Sequence, residues 1–348
     1  MDSYVCPACK SVVSCARREA HETLWCSAAD PSTLRRDGVD LDGYDDCPND
    51  LNSLANASMG GARACVSALF QAELAVAISS VPGLAFELEQ SNVFGDLSTA
   101  GALWYVDRVM SEYLGITYGR PSANRQADAE SASGVVLALG CGGVPLSGLV
   151  AHALGFDVVL TDLEAVLPQT QRNVDRSLDG MPGASPGLSH QPSIRVRELR
   201  FGDSAALSAA LEEAGAVGAT NSGDDGRNLL VICSDCIWLP ELQGPLLDTV
   251  CDALRLGGGR ASALVAYQSR NPQVESDFLH QLRVLRRDEL DVEDVDLQEA
   301  FEHVQWPMQM KQNLLADGTA LSDHFKVYRL RHRLASVHTG CNGACVEP

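Results

Sequence analysis

A chain of 348 residues that is 45% hydrophobic carries enough apolar material for one large core beside a small module, and is neither fibrous nor disordered. Its 26 Lys and Arg against 46 Asp and Glu, a formal net charge of −20, argue against a nucleic-acid partner, since affinity for phosphate chains comes largely from clustered cations. The same acidity either serves solubility alone or favours a basic protein or peptide partner.

The N-terminus, MDSYVCPACKSVV, has no charged-then-apolar leader, so the expected compartment is the cytoplasm, with the nucleus as the alternative, and the cysteines are expected to be reduced. Residues 1–54 read as a small Cys/His-rich module. In YVCPACKSVVSCARREAHETLWC, Cys6 and Cys9 stand two residues apart, and His21 and Cys26 follow a segment of helix formers. This approximates a zinc finger, a thiolate knuckle followed by ligands on one face of a helix, with Cys15 as a competing ligand. The alternative is a reduced leader without metal. Four protein ligands leave no open coordination position, so zinc here would build a docking module and perform no chemistry.

Residues 55–335 read as the main domain, and 336–348, with Cys341 and Cys345, as a tail. Amphipathic helices are expected over 62–81 and 104–114. Stretches rich in Pro, Gly, Ser and Asp at 119–133, 179–193 and 215–227 read as surface loops. Strands are expected at 135–139, 158–161, 194–199, 229–233 and 263–267, separated by helices at 146–154, 165–178, 204–214 and 241–254. A further helix is expected over 274–285, and the acidic run 288–296 reads as a solvated face, with a rim for a basic substrate as the alternative. FKVYRLR at 325–331 alternates like a strand near the sheet edge. The alternation of strand and helix makes this an α/β protein with a doubly wound parallel sheet. The apolar run 134–160 is broken by glycines and Pro145, so no membrane span is expected.

The most informative stretch is GVVLALGCGGVPLSGLVAHALGFDVVLTD at 134–162: a strand, a glycine-rich turn, a helix and a second strand ending on an acid. Gly140 and Gly142 let the backbone approach a bound cofactor, the next helix offers unpaired N–H groups, and Asp162 is placed to accept hydrogen bonds from ribose hydroxyls. NAD and S-adenosylmethionine both present a ribose. A dinucleotide fingerprint requires a third glycine three residues after the second, where this chain has Pro145, and no Walker lysine follows. The histidines form no HExxH, no serine elbow is present, and His152 reads as a packing or surface residue.

Five blocks occur in order: LWYVDRVMSEYL (103–114), LALGCGGVPLSGLVAHALGFDVVLTDLEAVLPQTQRNV (137–174), RELRFGD (197–203), VICSDCIW (231–238) and ALVAYQSRNPQVESDF (263–278). Together they resemble the seven-β-strand protein-lysine methyltransferases, lysine methyltransferase family 16, over roughly residues 84–333. The resemblance implies a Rossmann-like seven-stranded methyltransferase sheet, S-adenosylmethionine as methyl donor and a lysine of a protein as acceptor. It implies that Trp104 packs beside the donor, that Gly140 and Gly142 lie under its methionine part, and that Asp162 takes the ribose. Phe201 would lie against the adenine, and Ser234, Asp235 and Trp238 would line the floor below the reactive methyl. Trp104 and Phe201 also read as ordinary core aromatics, and Asp235 as a helix cap. Two positions depart from the family pattern: Ala138 stands where an acid is common, and the loop is longer around Val144.

For amine methylation, Trp238, with Tyr267, would wall a channel that favours the neutral amine, and Asp235 would orient that amine. A methyltransferase for a small molecule or RNA, and a non-catalytic binding protein of the same fold, are the rival readings; the charge disfavours RNA.

Overall fold

The computed structural model describes residues 3–5, 12–14, 73–91, 98–119, 134–180, 191–217, 227–315 and 318–333. The chain divides into two compact units, Met1–Arg63 and Ala64–Pro348. The expected boundary after residue 54, the tail 336–348 and most of each expected loop lie outside the described residues.

In the first unit β1 (Ser3–Val5) and β2 (Val12–Ser14) pair antiparallel, Val5 opposite Val12. The chain between them carries Cys6 and Cys9, which, with Cys15, His21 and Cys26, lie outside the described residues.

The second unit opens with a hairpin of β3 (Glu73–Ala77) and β4 (Ala85–Glu89), followed by α1 (Tyr105–Gly119). The helix expected over 62–81 is thereby corrected: 62–72 lie outside the described residues, and Glu73–Ala77 is a strand. Its side chains alternate, with Val76 buried between exposed Ala75 and Ala77, and β4 supplies the pairing partner that a helix would forgo. The main elements then follow as β5 (Val135–Leu139), α2 (Leu146–Ala153), β6 (Asp157–Asp162), α3 (Leu167–Gly180), β7 (Ile194–Glu198) and α4 (Ser204–Glu213). After these come β8 (Leu229–Ser234), α5 (Pro240–Gly257), β9 (Ala261–Gln268), α6 (Pro272–His280), β10 (Leu290–Asp294), α7 (Gln298–His303), α8 (Met308–Leu314), α9 (Leu321–His324) and β11 (Phe325–His332).

The sheet has seven strands in the order β10-β11-β9-β8-β5-β6-β7. Strands β5 to β9 run parallel, and β11 is inserted antiparallel between β9 and β10. The seven-stranded, doubly wound sheet expected for a methyltransferase is present, with two refinements. FKVYRLR lies near the edge as expected, one strand in, and the acidic run 288–296 contains the edge strand β10 beside it: Leu290 is buried while Asp291, Glu293 and Asp294 are exposed. The helix expected over 274–285 ends at His280 and continues as a wide π turn at Gln281–Leu285.

Every residue of β5 is buried because both faces of the sheet are covered, which explains its unbroken apolar run. Val136 and Ala138 face one core with Val106, Val109 and Met110 of α1 and Leu149 and Val150 of α2. Val135, Leu137 and Leu139 face the other with Leu207 and Leu211 of α4 and Leu246 and Val250 of α5. The chain leaves β5 to β6 on one side and returns to β8 on the other, so the carboxyl ends of β5, β6 and β8 bound the crevice where such sheets hold ligands. Among the described residues no helix is long and apolar enough to cross a membrane.

Candidate functional site

The glycine loop after β5 turns back over the strand ends through left-handed backbone at Gly140 (φ 58°) and Gly142 (φ 70°). A Cβ at 140 would stand 2.7 Å from Cys236 Sγ and 3.2 Å from Phe201 Cζ, and one at 142 would stand 3.0 Å from the Ala100 carbonyl oxygen. Bare backbone is therefore required at both positions. Asp162, at the end of β6, accepts hydrogen bonds from Gly142 N–H at 2.8 Å through Oδ2 and from Leu163 N–H at 2.7 Å through Oδ1. Burial pushes its carboxyl above the usual range, and the two N–H groups oppose that shift. Each oxygen keeps a lone pair for a further donor such as a hydroxyl.

The loop is held from below by one face of α3. Thr170 Oγ1 donates to the Gly142 carbonyl at 2.9 Å, and Asn173 Nδ2 donates to the Gly143 carbonyl at 2.6 Å and to Glu89 O at 2.7 Å. Asn173 Oδ1 accepts from Glu89 N–H at 2.7 Å, and Gln169 Nε2 donates to the Gly101 carbonyl at 2.9 Å. This buried polar face ties the β3–β4 hairpin, the segment at Ala100–Gly101 and the glycine loop into one hydrogen-bonded unit, with Gly143 N–H donating to Ala100 O at 2.7 Å. Its sequence signal was the spacing of Gln169 and Asn173 four residues apart beside Thr170, all on an otherwise amphipathic helix.

The opposite wall is built after β8 and β9. Asp235 takes a left-handed conformation (φ 63°), its N–H donating to Ala266 O at 2.7 Å. Its carboxylate is gripped by Arg270, with Nη1 at 2.9 Å from Oδ1 and Nη2 at 2.6 Å from Oδ2, and it also accepts from Gln268 N–H at 3.3 Å. The Arg270 guanidinium lies over the Trp104 ring at 5.0 Å, so Trp104, Arg270 and Asp235 form one stacked and ion-paired array. Arg270 was absent from the sequence-derived site; its position in the SRNP turn after β9, within the last of the five blocks, was the available signal. Trp238 is 50% exposed at the rim. Ser234 Oγ is buried without a hydrogen-bond partner.

The structure corrects the role drawn for Tyr267. It is fully buried in the core on the α5 face, with its ring edge-on to Phe278 and close to Tyr328, and therefore walls no channel. Its neighbours on β9, Val265 and Ala263, face the same core, so the parity of the strand forces this orientation. Asp235 likewise does not stand as a free acceptor for an amine, because Arg270 occupies it in bidentate fashion. Of the other expected residues, Gly140, Gly142 and Asp162 meet in the loop, Phe201 borders Gly140, and Trp104 and Asp235 meet through Arg270.

Among the described residues no group of three or more His, Cys, Asp and Glu is arranged to hold a metal ion. A depression lined by Gly202, Asp248, Asp252, Arg255, Arg286 and Glu289 opens beside α5, and its charges pair with one another, Arg286 with Asp248 and Arg255 with Asp252.

Residues 2–27 match the family model of the C2HC zinc finger. Among solved structures the chain is similar to a TehB-like SAM-dependent methyltransferase from Corynebacterium glutamicum, at 14% identity over 68% of this chain and 93% of that one, with a TM-score of 0.35. It is also similar to a geranyl diphosphate methyltransferase in complex with GPP and sinefungin, at 14% identity over 64% and 75%, TM-score 0.34. A third is the T. thermophilus 16S rRNA N2 G1207 methyltransferase in complex with AdoMet and guanosine, at 12% identity over 75% of this chain and 50% of that chain, TM-score 0.35. The fold assignment rests on strand order and direction within this chain.

Proposed function

We propose that the second unit is an S-adenosylmethionine-dependent methyltransferase acting on a lysine side chain of a protein, and that the first unit binds structural zinc through Cys6, Cys9, His21 and Cys26 and docks the substrate or a partner. The observation that carries the donor site is the cradle of bare backbone at Gly140 and Gly142, clamped to Asp162 at the switch point of the sheet. A Cβ would fill that cradle, and the orphaned Ser234 hydroxyl beside it lacks a partner that a ligand would provide. Trp104, Gly140, Gly142, Asp162, Phe201 and Ser234 would hold the donor. Bound there, such a donor supplies a methyl group on a positively charged sulfur, open to in-line displacement by a neutral amine.

What this chain's own residues contribute is position and environment. The half-exposed Trp238 gives the rim an apolar face, which disfavours the ammonium form of an entering lysine and favours loss of its proton to water. Asp235, committed to Arg270, fixes that wall and acts through the pair, so we assign it no role as a proton acceptor. The lysine acceptor is supported by the five ordered blocks and by the net charge of −20, which suits a basic protein segment and neither RNA nor an anionic membrane surface. A cytoplasmic or nuclear site of action accords with this reading.

S-adenosylhomocysteine is expected to raise the melting temperature of the full chain, and Asp162→Ala to weaken its binding at least about tenfold by calorimetry, the scale of losing a charged hydrogen-bond acceptor; unchanged affinity would refute the ribose role. Radiolabelled methyl transfer to a cell extract, followed by identification of the labelled residue, is expected to return protein lysine. The saturation of Asp235 by Arg270 favours a second reading, a non-catalytic binder, which the same assay separates by binding without transfer. Elemental analysis is expected to find one zinc per chain, lost in Cys9→Ser.

A further inference from the structure

Asp107 sits in the first turn of α1, 8% exposed, and among the described residues no cation pairs with it. Its carboxylate points away from its own helix to the start of α2, where Oδ2 accepts from Ser147 N–H at 3.2 Å. The same carboxylate faces Ser234 at the end of β8. Strand parity explains that meeting: Leu230 and Ile232 face the core that α1 covers, and Ser234 is the next residue on that side. Ala138, on β5, faces the same core with only a methyl group.

Asp107 is thus placed at the carboxyl ends of β5 and β8, beneath the glycine loop. Its influence reaches that loop, where burial and then the charges of Asp162 and Asp107 push the Cys141 thiol up. Burial pushes the Asp107 carboxyl above its usual range, opposed in part by the Ser147 hydroxyl and amide, the Ser234 hydroxyl and the Leu146 amide. Capping α2 would need only an oxygen acceptor, which an asparagine also offers. A buried charge whose partners are amides and serine hydroxyls, with no cation to balance it among the described residues, is a place where a ligand's cation completes the electrostatics.

We propose that Asp107 receives the α-ammonium group of the donor's amino-acid end, with Ser234 Oγ as a second acceptor. An ammonium group suits this site because it brings three donors and a full positive charge to a carboxylate and a hydroxyl. The assignment rests on the donor reading above and adds the residue that recognises one end of that donor.

The test compares S-adenosylhomocysteine with its des-amino analogue, in which hydrogen replaces the α-amino group, by calorimetry on the full chain. The wild type is expected to prefer the amino compound by about 10- to 100-fold, the worth of a charge-assisted hydrogen bond. Asp107→Asn, which keeps the cap on α2, is expected to lose that preference while binding the des-amino compound as the wild type does, with an apo melting temperature no lower. Ser234→Ala, free of any effect on folding charge, is expected to reduce the preference in part. A wild type indifferent to the amino group overturns the proposal, as does an Asp107→Asn that weakens both compounds equally. A wild type that binds neither compound overturns the donor reading itself, and this assignment with it.

Discussion

Adding a single methyl group at position 140 would meet Cys236 and Phe201 on a backbone already at φ 58°. Gly140→Ala is therefore expected to cost about 1–2 kcal/mol from the left-handed conformation alone, read as a lowered urea midpoint, and to abolish the melting shift produced by S-adenosylhomocysteine. The positions of Gly140, Gly142 and Asp162 were legible in the sequence because what fixes them is local: two residues without Cβ in a turn, and an acid at the end of a strand. Asp235 was legible as a position and misread as a free group. Its partner Arg270 lies 35 residues away, and Asp107 meets Ser147 from 40 residues away, so no local pattern announces either contact.

Elements were readable wherever burial imposes a period. The five core strands and the helices between them follow from apolar runs and 3.6-residue spacing, and their observed bounds differ from expectation by a few residues at most. The β3 strand was missed because its alternation is filled with alanine, which carries little contrast between faces. Strand β10 was missed because its acids dominate the composition, although Leu290 and Val292 alternate among them; such charges on an edge strand also guard against pairing with another sheet. At the other end of the sheet from the site, Arg227 joins three strands. It pairs with the buried Asp157 of β6 at 2.6 Å and donates to Gly134 O before β5 at 3.1 Å, while itself preceding β8. Asp157 also accepts from Ser193 N–H and Oγ before β7. Arg227→Met is expected to cost about 3 kcal/mol in denaturant unfolding, because it removes the guanidinium that balances the buried Asp157 charge. Adding Asp157→Asn to that variant is expected to recover part of the loss.

Stability of the protein as a whole should vary with pH in a way its buried groups dictate. His152 is buried with Nδ1 lacking a partner, and burial lowers its pKa. As pH falls below the ordinary histidine value, the unfolded chain takes up a proton that the folded one refuses, so stability is lost. Asp107 and Asp162 act in the opposite sense: their folded carboxyls are raised, so they cost stability near neutrality and return it as pH drops toward the ordinary carboxylate range. Thermal melts at pH 7.5 and 5.5 are expected to show a fall in the wild type and a smaller fall in His152→Asn; equal falls would remove His152 as the cause.

Sequence alone was enough for the fold class, the glycine turn, the strand-end acid and the Cys/His spacing of the N-terminal module, because each depends on backbone conformation or on periodicity within a few neighbours. The pairing of charges was settled only by folding. Arg270 neutralises Asp235 and stacks on Trp104, while Asp107 is left buried with amide and hydroxyl partners and no cation among the described residues, and these are differences in electrostatic compensation between groups that meet only when distant segments converge on the ends of the same strands.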